Sequence, residues 1–232
     1  MKLEVLNLTK SFGNKEVLKN INFTFESGKI YGLLGRNGAG KTTFFNCLND
    51  DIKPDEGTFN MIEEKNVRPL TIDDIGYVLS TPTVPEFLTG REFLKFFLEI
   101  NEGKIKDIKS IDEYFDFMKI EEEDRDKLLK DYSHGMKNKM QMLINIIANP
   151  NILLLDEPLT SLDVVVAEEM KEMLKSIKKE HILIFSTHIM DLALSLCDEI
   201  VILKNGTLSL VDNKLKGEQL KDKIIEMLRE DE

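Results

Sequence analysis

The stretch Ile30-Tyr31-Gly32-Leu33-Leu34-Gly35-Arg36-Asn37-Gly38-Ala39-Gly40-Lys41-Thr42-Thr43 decides the fold. Its first five residues form a short, mostly apolar run, the pattern of a strand buried on both faces. A glycine-rich turn follows, and the pattern then predicts a helix from about Lys41 to Asn49. Strand, glycine loop and helix in that order make a cradle for a polyphosphate. A triphosphate carries several negative charges in a small volume. Backbone N–H groups reach it only where no Cβ blocks the approach, hence Gly35, Gly38 and Gly40. The helix points the positive end of its dipole at the same place. Lys41 adds a flexible positive charge, and the Thr42 hydroxyl is placed to ligate Mg2+.

Outward from this loop the chain alternates between strand and helix patterns. Leu3–Leu8 and Ile21–Phe25 alternate as antiparallel strands of a small β-layer. Ile75–Leu79, Ile152–Leu155 and Ile182–Phe185 read as buried strands. Glu199–Leu203 reads as a further strand, with Asn205-Gly206 as a hairpin turn. From Gly90 to about Leu129 the pattern is helical and carries Phe93, Phe96, Phe97, Phe115 and Phe117. This predicts a helical insertion, with the aromatics as its own small core. Ser133 is a candidate N-cap for a helix from Met136 to Ala148. Another helix is expected over 164–179. The tail 218–229 sets Leu220, Ile224 and Leu228 on one helical face, and the expectation is that it docks on its own domain. The order implies an α/β fold with a mainly parallel sheet, and one domain over 1–232.

A second chemical element closes the strand Ile152–Leu155. Asp156 at its carboxyl end can hold Mg2+ through its water shell. Glu157 can accept a hydrogen bond from an attacking water, or polarise it.

Together these residues resemble the nucleotide-binding domain of ATP-binding cassette (ABC) proteins, over nearly the whole chain and in that family's motif order. Gly35–Thr43 resembles the Walker A loop, and Ile152–Glu157 resembles Walker B with its catalytic glutamate. Ser161-Leu162-Asp163 is similar to the D-loop, and His188 to the switch histidine that contacts the γ-phosphate. Tyr132-Ser133-His134-Gly135-Met136 lies where the family has its LSGGQ signature. Phe12 sits where an aromatic residue stacks on adenine, and Val17 is placed to add an apolar contact. The resemblance implies a RecA-like P-loop NTPase core with an antiparallel β-subdomain, a helical subdomain at about 81–135, and a C-terminal hairpin and helix at about 205–232. It implies ATP and Mg2+ as ligands. It also implies a head-to-tail pair of cassettes, in which Ser133 and Gly135 of one chain serve the ATP held by the other.

The chain departs from the family pattern at the Q-loop, where Ser80 stands in place of glutamine. In the signature, His134 replaces a glycine and Met136 a glutamine. A histidine at 134 can donate to phosphate or point outward, and the outward reading is favoured because backbone donors persist with any side chain.

Composition narrows the function. The net charge of −11 opposes broad nucleic-acid binding, which needs a basic face. Much of the acid lies in 112–126, read as a solvated helix and turn. Cys47 and Cys197 read as reduced, partly buried thiols, and no CxxC or His-rich cluster points to zinc. His181 reads as an ordinary surface or strand-end residue. No apolar run approaches the roughly 18–20 residues of a spanning helix, and the start does not read as a signal peptide. The expectation is a cytoplasmic ATPase subunit, peripheral on the inner membrane face, powering a separate membrane-spanning partner. The form Ser133-His134-Gly135-Met136-Lys137 resembles cassettes of bacterial drug, antibiotic or peptide exporters. A soluble cassette acting on ribosomes or DNA, and a regulatory cassette with weak hydrolysis, remain as alternatives.

Overall fold

The computed structural model describes residues 1–105, 108–160, 162–212, 214–215 and 217–229. The chain runs β1 (Lys2–Phe12), β2 (Lys15–Glu26), β3 (Ile30–Leu34), α1 (Lys41–Leu48), β4 (Glu56–Glu63), β5 (Asn66–Pro69), β6 (Ile75–Val78), α2 (Gly90–Ile100) and α3 (Ile111–Phe117). It continues with α4 (His134–Ala148), β7 (Ile152–Asp156), α5 (Val164–Ile177), β8 (Ile182–Thr187), α6 (Met190–Leu196), β9 (Glu199–Lys204), β10 (Thr207–Leu210) and α7 (Glu218–Leu228).

Two sheets result. One is antiparallel, in the order β2-β1-β4-β5; the other runs β10-β9-β3-β8-β7-β6. The second is parallel from β9 to β6, with β10 added antiparallel at its edge. Its central strands β3, β8 and β7 are buried at every residue. Alternation assigns their side chains to two faces. Leu153, Leu155, Leu183 and Phe185 pack with the helical insertion, α4 and α5. Ile152, Leu154, Ile182 and Ile184 pack with α1 and the antiparallel sheet. Both faces need apolar residues, which is why these strands are continuous apolar runs.

The insertion is less helical than its pattern. Thr89 with Glu92 and Ser110 with Glu113 form two separate capping boxes, so two short helices start independently. Gly103 and Lys119, both at positive φ, turn the chain after them. Nor do the aromatics form a private core. Phe93 and Phe115 join the cluster on one face of the parallel sheet, while Phe96 and Phe117 are exposed. The strands β4 and β5 have no strong sequence pattern; pairing of β4 along β1 makes them strands. The tail docks as expected, with Ile224 buried among Ile200 and Ile202.

His181 sits at a strand end but is buried, its Nδ1 2.6 Å from Pro150 O. It therefore serves the core rather than the surface. Burial pushes the Cys47 thiol up to about 11 and raises that of Cys197 as well, so both are poor nucleophiles.

Asn138 on α4 is buried, and among the described residues neither polar atom of its amide has a partner. An unpaired buried amide costs about 1–3 kcal/mol. Asn138→Leu, similar in size, should therefore raise the melting temperature. A lower one would show that the amide is satisfied in solution.

Candidate nucleotide site

The glycine loop joins β3 to α1. Gly40, the N-cap of α1, has φ of 106°, and a Cβ there would lie 2.9 Å from Val17 Cγ1. Both the left-handed backbone and the close approach require glycine. The unpaired N–H groups of the first turn of α1 thus open on the loop. Lys41 is buried and folds back, its Nζ donating to Gly35 O at 2.8 Å. Burial lowers its pKa, and the charges of Glu157 and Asp156 oppose that effect. An arriving phosphate would favour the ammonium further.

Asp156 ends β7 beside this helix. Its Oδ2 accepts from Thr42 Oγ1 at 3.0 Å, and its Oδ1 accepts from Ser186 Oγ on β8. The parallel register sets Asp156 opposite Ser186, which fixes the carboxylate. A hydroxyl and a carboxylate oxygen at this spacing suit a hard cation such as Mg2+. Among the described residues no group of three or more His, Cys, Asp or Glu could hold a metal alone. Such a cation would need phosphate oxygens and water as its other ligands.

Glu157 follows with φ of 50°, an unusual value for a non-glycine residue. That turn leaves the strand direction and carries the carboxylate into the cleft. Glu157 Oε1 lies 3.0 Å from His188 Nδ1 and 4.0 Å from Lys41 Nζ, while Oε2 accepts from Thr160 Oγ1 at 3.4 Å. A carboxylate so held can take a hydrogen bond from a water.

A cavity of about 270 Å3 opens here, lined by Phe12, Val17, Asn37, Gly38, Gly40, Lys41, Thr42, Thr43 and Glu157. Phe12 is half exposed, with the Lys10 ammonium 5.5 Å from its ring centroid. Arg36 and Ala39 line an adjoining cleft across the loop, together with Asn37 and Gly38.

The expected signature and D-loop residues lie away from this cavity. Ser133 caps α4, accepting from Met136 N at 3.2 Å, and Ser133 and His134 are exposed. Gly135 packs instead near Leu162 and Val166 of its own chain. Asp163 caps α5 by accepting from Val165 N and Val166 N at 3.0 Å. Ser161 lies outside the described residues. Sequence reasoning gave no role to Ser186 and Thr160, which orient the two carboxylates, because a serine or threonine near a strand end carries no distinctive signal. Nor did it find Tyr77, whose hydroxyl burial and the nearby Asp156 charge make harder to ionise.

The parallel sheet, the glycine loop entering a helix, and the acidic pair at the end of β7 together define a P-loop nucleoside triphosphatase. Residues 18–160 match the family described as ABC transporter. The chain is 34% identical to an uncharacterised ABC transporter ATP-binding protein, YxlF, of Bacillus subtilis (strain 168), over 89% of this chain and 69% of that protein. It is 32% identical to the bacitracin transport ATP-binding protein BcrA of Enterococcus faecalis, over 89% and 67% respectively. A solved ATP-binding subunit of an ABC transporter superposes with a TM-score of 0.81 and 25% identity, over 99% of this chain and 100% of that one. The chain belongs to the ABC transporter family, as an ATP-binding and ATP-hydrolysing subunit. Among the described residues no helix is long and apolar enough to cross a membrane.

Proposed function

We propose that this cassette supplies half of each ATP site in a head-to-tail pair, and that the pair drives export through a separate membrane-spanning partner. The observation that carries this reading is the split of the expected site. Lys41, Thr42, Asp156, Glu157 and His188 converge on the glycine loop, whereas Ser133 and Gly135 stay outside its cavity. Ser133 is exposed at the start of a helix of 15 residues, where a hydroxyl, free N–H groups and the dipole suit a phosphate.

In this reading the loop and Lys41 hold the β- and γ-phosphates, and Phe12 and Val17 flank the adenine. Thr42 and Asp156 would hold Mg2+, which when bound neutralises phosphate charge. Glu157 takes the hydrogen bond of the attacking water, and His188 holds Glu157 and reaches the γ-phosphate. The helical insertion acts as the arm that carries Ser133 to the neighbour, while β10 closes the far edge of the sheet and α7 packs on β9. Export is favoured by the likeness to a protein named for bacitracin transport. The acidic charge favours a membrane partner on the inner face over ribosomes or DNA.

Lys41→Ala breaks the loop half of the site, and Ser133→Arg breaks the signature half. Each variant alone should be inactive. Mixed in equal amounts before ATP is added, half of the pairs are hybrids holding one intact site of two. Activity should then return to about a quarter of wild type, by the symmetry of the pair. A mixture as inactive as its components would overturn the composite site.

A further inference from the structure

A buried side chain of α4 holds the start of the segment that follows β6. Gln141, 5% exposed, faces the backbone of Leu79. With Nε2 turned to Leu79 O and Oε1 to Leu79 N, both separations are 3.2 Å and every partner is satisfied. The reverse orientation would set donor against donor and acceptor against acceptor.

The pair continues the sheet in an unusual way. β6 is an edge strand, and its last ladder residue is Val78, opposite Leu155. Leu79 lies just beyond the ladder. The Gln141 amide offers it one donor and one acceptor, as another strand would. Close packing makes this reach available. Gly76 lies under α4, and a Cβ there would come within 2.8 Å of Asn145 Oδ1 and 2.9 Å of Pro150 Cγ. Asn145 in turn donates to Gln141 O at 2.8 Å, holding that turn of the helix.

Two functional points are thereby joined. Ser133 caps the start of α4, and the clamped residue precedes Ser80. Serine is too short to carry a long-range contact toward the nucleotide from this segment. We infer that Gln141 is a positioning residue which makes the Leu79–Ser80 segment and α4 move as one body, so that this segment senses ATP through the signature helix rather than through its own side chain. The inference rests on the proposed role of Ser133 at a neighbour's ATP.

The test is Gln141→Met, which keeps the length and apolar fit but cannot pair with Leu79. The control is Asn138→Leu, which removes a buried amide one turn away that holds nothing. Hydrogen exchange of the Leu79 amide should speed up about tenfold in Gln141→Met, the loss of one net hydrogen bond. Turnover at saturating ATP should fall roughly 3- to 30-fold with KM unchanged, the range expected for coupling between sites. Asn138→Leu should change neither exchange nor turnover. Unchanged Leu79 exchange in Gln141→Met would refute the clamp. Faster exchange with unchanged turnover would refute the coupling. A wild-type turnover that is indifferent to Ser133→Arg would instead sink the composite site, while the exchange measurement would still judge the clamp.

Discussion

Glu157→Gln is expected to lower ATP turnover about 10²- to 10⁴-fold while nucleotide binding persists, the usual contribution of a positioned general base. The substitution keeps the size of the side chain and the backbone demand at φ of 50°, so the turn after β7 should survive. It removes the charge that faces Lys41 and converts one acceptor oxygen into an amide nitrogen. His188 Nδ1 lies 3.0 Å from Glu157 Oε1, so the variant also disturbs the group that holds the base in place. Phosphate release by purified protein, with nucleotide affinity measured separately, separates the two effects. Equal turnover in variant and wild type would remove Glu157 from the chemistry and leave Asp156 as the only acidic residue at work.

Lys41→Ala should weaken ATP binding by roughly 10- to 150-fold, since a hydrogen bond to a charged group contributes about 1.5–3 kcal/mol. The loss falls on affinity rather than on folding. Lys41 is buried and its pKa is lowered by that burial, so in the empty fold the charged ammonium is disfavoured. Its partners are the Gly35 and Arg36 carbonyls and the Glu157 carboxylate 4.0 Å away. The variant should therefore keep a cooperative melt while titrating weakly with a fluorescent ATP analogue. Wild-type affinity would show that the glycine loop alone supplies the binding energy. The contrast between the variants is diagnostic: one retains ATP and fails to cleave it, the other fails to hold it.

Much of the parallel core is legible in the sequence. Short continuous apolar runs at Ile30–Leu34, Ile152–Leu155 and Ile182–Phe185, each bounded by turn residues, read as strands with both faces covered, and they are. The elements that escaped were those whose pattern depends on a partner. β4 contains Glu56, Gly57 and Asn60 and is a strand because β1 pairs with it. α6 (Met190–Leu196) is a short helix without a side-chain cap and leaves no clear signal. The insertion carries one continuous helical pattern in sequence. Local capping boxes and positive-φ turns divide it.

The glycine loop, Lys41, Thr42, Asp156 and Glu157 are legible from the sequence by itself because their chemistry is local. A phosphate cradle needs its glycines and lysine at fixed spacing along one turn, and a carboxylate pair announces itself at the end of an apolar strand. Only the tertiary structure brings Asp156 to Thr42 across 114 positions, and His188 to Glu157 across 31. Only it keeps Ser133 away from its own chain's loop and clamps Leu79 with Gln141. Those relations depend on which strands lie side by side and how closely a helix rests on them. That is set by burial of both sheet faces at once, a property of the whole chain that no single stretch of it encodes.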